Sequence, residues 1–324
     1  MKKNLKQGGF VKLTAPSSAQ LQLIEAAVAI RDQPDAAERA FMARQLVLCT
    51  LPHSDPGDIE TWTRRAGNSA LGIQPAFDFV AGRKIGFPYG TIPRLILFWI
   101  TTEVQHTKNR VDLTTLEKRT LHLGRSLADF MREVGLSPDT GGGKRGDAKR
   151  LHNQMDRLFR SRITFQQTTE DDSGHRKEWL NMEVAPRGEL WWDTKRPDQP
   201  ALWQSWIQLG EEFYNALVAF PVPVDMRALK ALRRSPLALD LYAWVCYRAF
   251  VLVKNNQPPQ FMPWATLINQ LGADYGTAND FQKKASAALR KIAALYPGLT
   301  IGRANGGFTI HATRLAVPRV KLVG

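Results

Sequence analysis

Apolar residues at helical spacing predict the first elements of this chain. Those within 21–28 indicate one helix, and those within 41–49 indicate a second. We expect both helices, which lie in residues 1–50, to pack onto the first domain. The segment 52–93 is rich in Pro, Gly and Asp, so it predicts irregular structure or a strand pair.

A unit of three helices followed by a hairpin is predicted next. Ser126 is a candidate N-cap for the second helix and Gly135 a candidate stop. The hairpin is indicated by alternating polar and apolar residues around a turn at 171–174. The predicted elements are helices over 95–104, 127–134 and 148–160 and strands over 163–169 and 178–184.

The second half of the chain repeats this order. Helices are predicted over 237–253, 264–271 and 278–295, and a hairpin over 299–310 turns at Asn305. Apolar positions in the two short helices align at one constant offset and those in the two long helices at another, which indicates two copies of one architecture.

The pattern therefore predicts an α+β fold of tandem winged-helix domains with an N-terminal helical extension. We expect the first winged helix in 51–222 and the second in 223–324. Between the two units, a further strand pair over 203–209 and 212–219 is predicted, and it could belong to the first sheet.

The charge composition of the chain indicates the kind of partner that it binds. The 324 residues carry 44 Lys and Arg against 30 Asp and Glu, a formal net charge of +14. With 44% hydrophobic residues the chain has ample material for folded cores. The excess of positive charge indicates a polyanionic partner, with nucleic acid first among the candidates.

The long helix of the first half has a basic face. Its apolar positions share one arc of a helical wheel, and Arg, Lys, Asn and Gln are the side chains that reach phosphates and base edges in a major groove. The candidate residues, with the preceding glycine-rich loop, are Lys144, Arg145, Lys149, Arg150, Asn153, Gln154, Arg157 and Arg160. The alternative is an ordinary solvated helix face.

The long helix of the second half is divided in the same way. Residues 281–324 contain eight Lys or Arg and no Asp or Glu. The candidate residues are Lys283, Lys284, Ser286, Arg290 and Lys291, with Arg303 and Asn305 at the hairpin tip. The tip suits a wing that touches phosphate or enters a minor groove, and a simple structural turn is the alternative.

A further basic cluster precedes the second unit. It consists of Arg227, Lys230, Arg233 and Arg234. These side chains could contact the DNA backbone or could cap the linker between the two units.

Catalytic and cofactor motifs are missing from the pattern. The glycine-rich loop has Pro138 and Arg145 where a phosphate-binding loop needs Gly and Ser or Thr, and the six histidines are scattered. We expect no catalytic residue, metal or cofactor, and no disulfide between Cys49 and Cys246. We also expect a cytoplasmic protein with no membrane association, because no leader-like or membrane-spanning apolar run is evident.

Several short motifs in combination resemble the plasmid-encoded RepA replication initiators. They are Leu51-Pro-His-Ser-Asp-Pro56, Tyr89-Gly-Thr-Ile-Pro-Arg-Leu95, Leu123-Gly-Arg-Ser126, and Gly142-Gly-Lys-Arg-Gly146 followed by Arg150-Leu151 and Gln154-Met155. The resemblance extends over residues 45–315.

This resemblance implies a theta-type initiator built from tandem winged helices that bind repeated double-stranded sites, the iterons, at a plasmid origin. It also implies duplex opening, recruitment of a host initiator and helicase, and a homodimer that represses its own gene. Two rival hypotheses stay open: a winged-helix transcriptional repressor with no replication role, and a DNA-processing enzyme such as a nickase or recombinase.

Overall fold

The computed structural model describes residues 15–138, 146–171, 174–191, 205–271 and 275–318. Its helices are α1 (Ser18–Asp32), α2 (Arg44–Leu48), α3 (Thr91–Thr107), α4 (Thr115–Arg119), α5 (Leu127–Glu133), α6 (Asp147–Phe159), α7 (Glu211–Ala219), α8 (Met226–Leu232), α9 (Pro236–Lys254), α10 (Trp264–Leu271) and α11 (Ala278–Leu295). Its strands are β1 (Arg39–Ala43), β2 (Trp62–Ala66), β3 (Ser69–Gln74), β4 (Phe77–Asp78), β5 (Arg83–Lys84), β6 (Thr120–His122), β7 (Arg162–Asp171), β8 (Gly174–Glu183), β9 (Arg187–Glu189), β10 (Trp206–Gln208), β11 (Pro221–Asp225), β12 (Gln260–Pro263), β13 (Leu299–Ala304) and β14 (Gly307–Ala312).

The first half contains the predicted helices and hairpin. Ser126 caps α5 by accepting a hydrogen bond from the Asp129 amide at 3.1 Å, and Gly135, at φ 78°, follows the end of that helix. The apolar side chains of α6 are buried as predicted. β7 and β8 pair with β2 and β3 in an antiparallel sheet of order β2-β3-β7-β8, so the segment 52–93 does contribute a strand pair.

The second half repeats the order of helices with a different sheet. α9, α10 and α11 occupy the predicted positions, and β13 and β14 form the predicted hairpin around Gly306, at φ 70°. Here β12, the strand between α9 and α10, joins the hairpin in a sheet of order β12-β14-β13. In the first half β6, the strand between α3 and α5, instead pairs with β10, outside the hairpin's sheet.

The helix predicted over 41–49 is wrong in its first part. Residues 39–43 form β1, which pairs antiparallel with β11, and only the short α2 follows. The apolar spacing of this segment suits either a helix or a buried strand. The strand forms because β11 provides backbone hydrogen-bond partners for residues 39–43.

The strand predicted over 212–219 is also wrong. This segment is α7, which buries Phe213, Ala216 and Leu217 at helical spacing and has Glu211 and Glu212 in its first turn, where carboxylates favour a helix. The strand predicted over 203–209 is confirmed as β10 within 206–208; residues 203 and 204 lie outside the described part of the chain. β10 pairs with β6 and β9 rather than joining the first sheet.

The N-terminal segment packs at the junction of the two halves. α1 lies against α8 and α11 of the second half, whereas we expected it on the first domain. β1 lies between α3 and β11, and the predicted boundary at residue 222 falls inside β11. The segment therefore joins the two halves instead of covering one of them.

Arg94 connects several segments at this junction. Arg94 of α3 donates hydrogen bonds to the carbonyls of Leu51, Pro52 and Gly90 at 2.6–3.0 Å, and it also reaches Asp240 of α9. α3 packs against α9, so the corresponding helices of the two halves meet at this residue.

α9 is the core helix of the second half. Among the described residues it is the one helix long and apolar enough to cross a membrane by length and composition, and 67% of that span is buried inside the fold. Its apolar character is therefore explained by packing.

Candidate nucleic-acid interface

The long helix of the second half, α11, separates apolar and basic residues as the sequence predicts. Thr277 caps it by accepting a hydrogen bond from the Asp280 amide at 3.1 Å. Its buried side includes Phe281, Ala285 and Leu289, which pack towards α9. The opposite face exposes Lys283, Lys284, Arg290 and Lys291, with Ser286 half-buried beside them.

The cations of this face have no acidic partners among the described residues. Within the described ranges, none of Lys283, Arg290 and Lys291 forms an ion pair, and the Lys284 ammonium lies over the Tyr275 ring at 4.8 Å. The one carboxylate of α11, Asp280, is hydrogen-bonded by the Thr277 hydroxyl in the N-terminal cap. The face therefore presents uncompensated positive charge, which attracts a polyanion.

An open hollow of about 410 Å³ lies on the same face. It is lined by Trp264, Asn279, Gln282, Lys283, Ser286 and Arg290. Two amides, a hydroxyl and two cations thus share one site, and these are the groups that hydrogen-bond to adenine and guanine edges in a major groove.

Sequence reasoning missed Asn279, Gln282 and Trp264. The two polar residues lie four residues before Lys283 and Ser286 and so share their helix face. That spacing could have found them, whereas Trp264 reaches the hollow from α10 through the fold.

The hairpin of β13 and β14 carries the other second-half candidates. Arg303 is exposed on β13, and Asn305 is exposed in the turn that Gly306 closes. In the part of the chain that is described, Arg303 has no ion-pair partner either.

The first-half helix α6 is less open. Lys149, Arg150, Asn153 and Arg160 are exposed as predicted, although Arg150 pairs with Asp147 and Arg160 with Asp156. Lys144, Arg145 and the glycines before them lie outside the described residues.

Gln154 is buried, which corrects its predicted place on the polar face. The residue is 7% exposed, and its Oε1 accepts a hydrogen bond from the Tyr89 amide at 2.9 Å. Position 154 borders the apolar arc of α6, and the approach of the segment before α3 closes over it. Gln154 is thus a structural residue in this fold.

Arg157 is occupied by internal contacts. Its Nη1 donates to Asp55 Oδ2 at 3.1 Å and to the Phe87 carbonyl at 3.0 Å, its Nε donates to Asn153 Oδ1 at 2.8 Å, and the side chain is 16% exposed. Gly86, at φ 94°, passes so close that a Cβ there would lie 3.0 Å from the Arg157 guanidinium carbon. These contacts correct the prediction that Arg157 reads DNA, because its guanidinium is bonded within the fold.

A cleft of about 830 Å³ separates the remaining α6 face from the β4–β5 hairpin. Its walls carry Asp55, Asp58, Asp78 and Asp156 beside the cations, and Lys84 is held by Asp58 and Glu60 at 3.0 and 2.6 Å. Charge on this side is largely compensated, in contrast to α11.

Metal-ligating side chains do not converge in the described part of the chain. Among the described residues, no three His, Cys, Asp or Glu side chains converge on a metal-sized site. Cys49 and Cys246 are buried free thiols, and burial raises the pKa of Cys49 to about 11.

Comparison with known proteins gives the family. The fold is α+β, with one strongly basic helix face suited to a polyanion. The family of plasmid-encoded RepA proteins matches residues 87–266, which is more than half of the chain, and the chain belongs to that family. This membership confirms the resemblance found in the sequence and supports a role in the initiation of plasmid replication.

The chain was also compared with curated proteins and with solved structures. No curated protein matches the chain. Two solved structures of domains 2 and 3 of RctB are similar: a selenomethionine derivative at 12% identity, covering 81% of this chain and 94% of that one with a TM-score of 0.47, and a second at 13% identity, covering 80% and 92% with a TM-score of 0.42.

Proposed function

We propose that this protein is a non-catalytic initiator that binds repeated double-stranded sites at a plasmid origin, with α11 as its main reading helix. The observation that carries the proposal is the face of α11, where Lys283, Ser286 and Arg290 border one hollow and no carboxylate neutralises the described cations. Arg and Lys there would contact guanine edges and phosphates, and the neighbouring amides would contact adenine.

The second half is proposed to act as a winged helix. Its order of helix, strand, two helices and hairpin, with β12 paired to β14, supports this assignment. In that arrangement α11 enters the major groove while Arg303 and Asn305 on the hairpin reach the flanking backbone or minor groove.

We propose that the first half is a second DNA-binding unit, with weaker binding than the second half; the two units are called heads below. The exposed residues Lys149 and Arg150 lie near the start of α6, Asn153 lies at its middle, and Arg160 is its C-cap. Two heads on one chain suit a site of about two helical turns. If they neutralise about six to eight phosphates, the logarithm of affinity falls against the logarithm of salt with a slope of about −5 to −7.

The remaining parts of the proposal rest on the family. They are opening of the origin duplex, recruitment of a host initiator and helicase, a homodimer that represses the gene, and action without a cofactor in the bacterial cytoplasm, where plasmid DNA is replicated.

Selection of bound duplexes from a random pool by the purified full chain tests the proposal. We expect one recurring site of about two turns. The variant Lys283→Ala/Arg290→Ala should lose most of its preference for that site over random duplex, while Lys254→Ala, which removes an exposed cation from the end of α9, should not.

Plasmid maintenance separates an initiator from a repressor. A plasmid carrying the origin should replicate only when the wild-type gene is supplied. Selective binding without plasmid maintenance would leave the transcriptional repressor as the function, and binding with no sequence preference would contradict both.

A further inference from the structure

The basic cluster before α9 divides into two paired and two unpaired cations. Arg227 binds Asp225 at 2.7 Å, and Lys230 binds Glu38 at 3.1 Å. Arg233 and Arg234 form no hydrogen bond or ion pair with any part of the chain that the structure describes. The first pair therefore stabilises the fold, and the second pair is available to a ligand.

The two free arginines occupy a stiff turn. Arg233 ends α8 in a helical conformation, at φ −54° and ψ −16°. The Ser235 amide donates to the Leu232 carbonyl at 3.1 Å, and the Ser235 hydroxyl caps α9 by accepting from the Ala238 amide at 3.2 Å. Since both flanking helices hold the turn, little backbone entropy is lost when a ligand binds there.

Both side chains line a hollow of about 360 Å³ with Arg150 of α6. The other lining residues are Thr91, Ile92, Leu136, Ser137 and Asp147. Asp147 is the one carboxylate among the described lining residues, and its Oδ1 lies 3.0 Å from Arg150 Nη1. Within that described lining, three guanidinium groups against one carboxylate leave an excess of two positive charges, which suits an anion with several oxygens.

Arg150 connects this hollow to the proposed DNA surface. It belongs to the exposed side of α6, one residue from Lys149 and three from Asn153. Walls of the hollow come from both halves, because Leu136, Ser137, Asp147 and Arg150 belong to the first half and Arg233 and Arg234 to the second. A duplex lying along the start of α6 would bring its backbone to this point.

We propose that Arg150, Arg233 and Arg234 form a seat for a phosphodiester group of duplex DNA at the junction of the two halves. The proposal rests on the proposed function. A phosphate held here contacts both halves, so it fixes the register of the two heads on the same duplex without reading its sequence.

The salt dependence of DNA binding by the full chain tests this seat. Arg233→Gln/Arg234→Gln should weaken the selected site and a random duplex by the same factor, roughly five- to tenfold near physiological salt, and make the salt slope shallower by about 1. Lys230→Gln removes a paired cation from the same segment and should leave the slope within about 0.3 of the wild type. Thermal unfolding should match the wild type, because neither arginine has a partner in the described structure.

Three outcomes overturn the proposal. If the double variant keeps the wild-type slope while the wild type still binds its site, the seat is wrong and the proposed function stands. If titration with inorganic phosphate or ATP shows binding that the variant loses while its DNA affinity is unchanged, the hollow holds a small phosphate compound instead. A wild type that binds no duplex contradicts the proposed function and this seat together.

Discussion

Arg94 of α3 and Asp240 of α9 form a bidentate ion pair inside the junction between the two halves. The guanidinium Nε and Nη2 lie 2.7 and 2.8 Å from the two carboxylate oxygens, and the side chains are 2% and 8% exposed. His53 Nε2 lies 2.8 Å from the same carboxylate. A buried pair with this many partners specifies one arrangement of α3 against α9. Removal of one partner leaves the other charge buried and unpaired, which is strongly destabilising.

Asp240→Asn should destabilise the fold strongly. The substitution leaves the Arg94 charge buried without its counterion, which costs about 3–5 kcal/mol of the free energy of unfolding. Urea denaturation measures this loss. The exposed pair of Arg110 and Asp112 provides the control, since solvent screens that pair and Asp112→Asn should leave the urea midpoint close to that of the wild type.

The double variant Arg94→Met/Asp240→Leu tests whether the instability of Asp240→Asn comes from the unpaired charge. Replacing both charges with apolar side chains removes the desolvation penalty, so the double variant should be more stable than Asp240→Asn alone. The single variants Arg94→Met and Asp240→Leu complete the cycle. If the double variant loses as much stability as the two single variants together, the two residues do not act as a pair.

Stability should fall below about pH 6.5 because of His53. Burial is the largest influence and lowers the pKa of His53 below its ordinary value of 6.5. Between the two pKa values the unfolded chain binds more protons than the folded chain, so acid favours unfolding. Burial raises the pKa of Asp240, but Arg94 and His53 together outweigh it and hold that pKa below its ordinary value, which adds a further loss of stability at lower pH.

Urea midpoints at pH 7.5 and 5.5 measure this dependence. His53→Gln should reduce the difference between the two midpoints, and His175→Gln, at an exposed position on β8, should leave it unchanged. If the His53 variant keeps the full difference, other groups are responsible for the acid sensitivity.

Gln282→Ala should change sequence preference more than overall affinity. The Gln282 side chain lines the hollow on α11, where an amide can make paired hydrogen bonds to adenine. We expect a loss of about 1–3 kcal/mol on the selected site and little loss on random duplex. Competition binding with single-base variants of the site would identify the base pair; an equal loss on all sequences would make Gln282 a backbone contact.

Arg157→Ala should weaken the fold of the first half and leave sequence preference intact. It removes the bonds to Asp55 and to the Phe87 carbonyl that fasten the segment before α3 onto α6. We expect a loss of about 1–2 kcal/mol in the free energy of unfolding and faster proteolysis within 53–60. A selective loss of the specific site, with stability unchanged, would return Arg157 to the reading surface.

Local patterns in the sequence predicted most of the long helices, the two hairpins and the basic face of α11. Helical spacing over 278–295 places its apolar and charged residues on opposite sides whatever packs against them. The cap at Ser126 and the stop at Gly135 were predicted for the same reason, because each depends on neighbours within four residues. The RepA motifs were likewise visible as contiguous residues.

Tertiary structure decided what depends on distant partners. Residues 39–43 became a strand because β11 supplied hydrogen bonds, and Gln154 and Arg157 left the polar face of α6 because Tyr89, Asp55 and Phe87 met them from 65 to 102 positions away. Asp240 met Arg94 across 146 positions. Helical spacing assigns a side chain to a face, whereas the approach of remote segments determines whether that face stays open to a ligand.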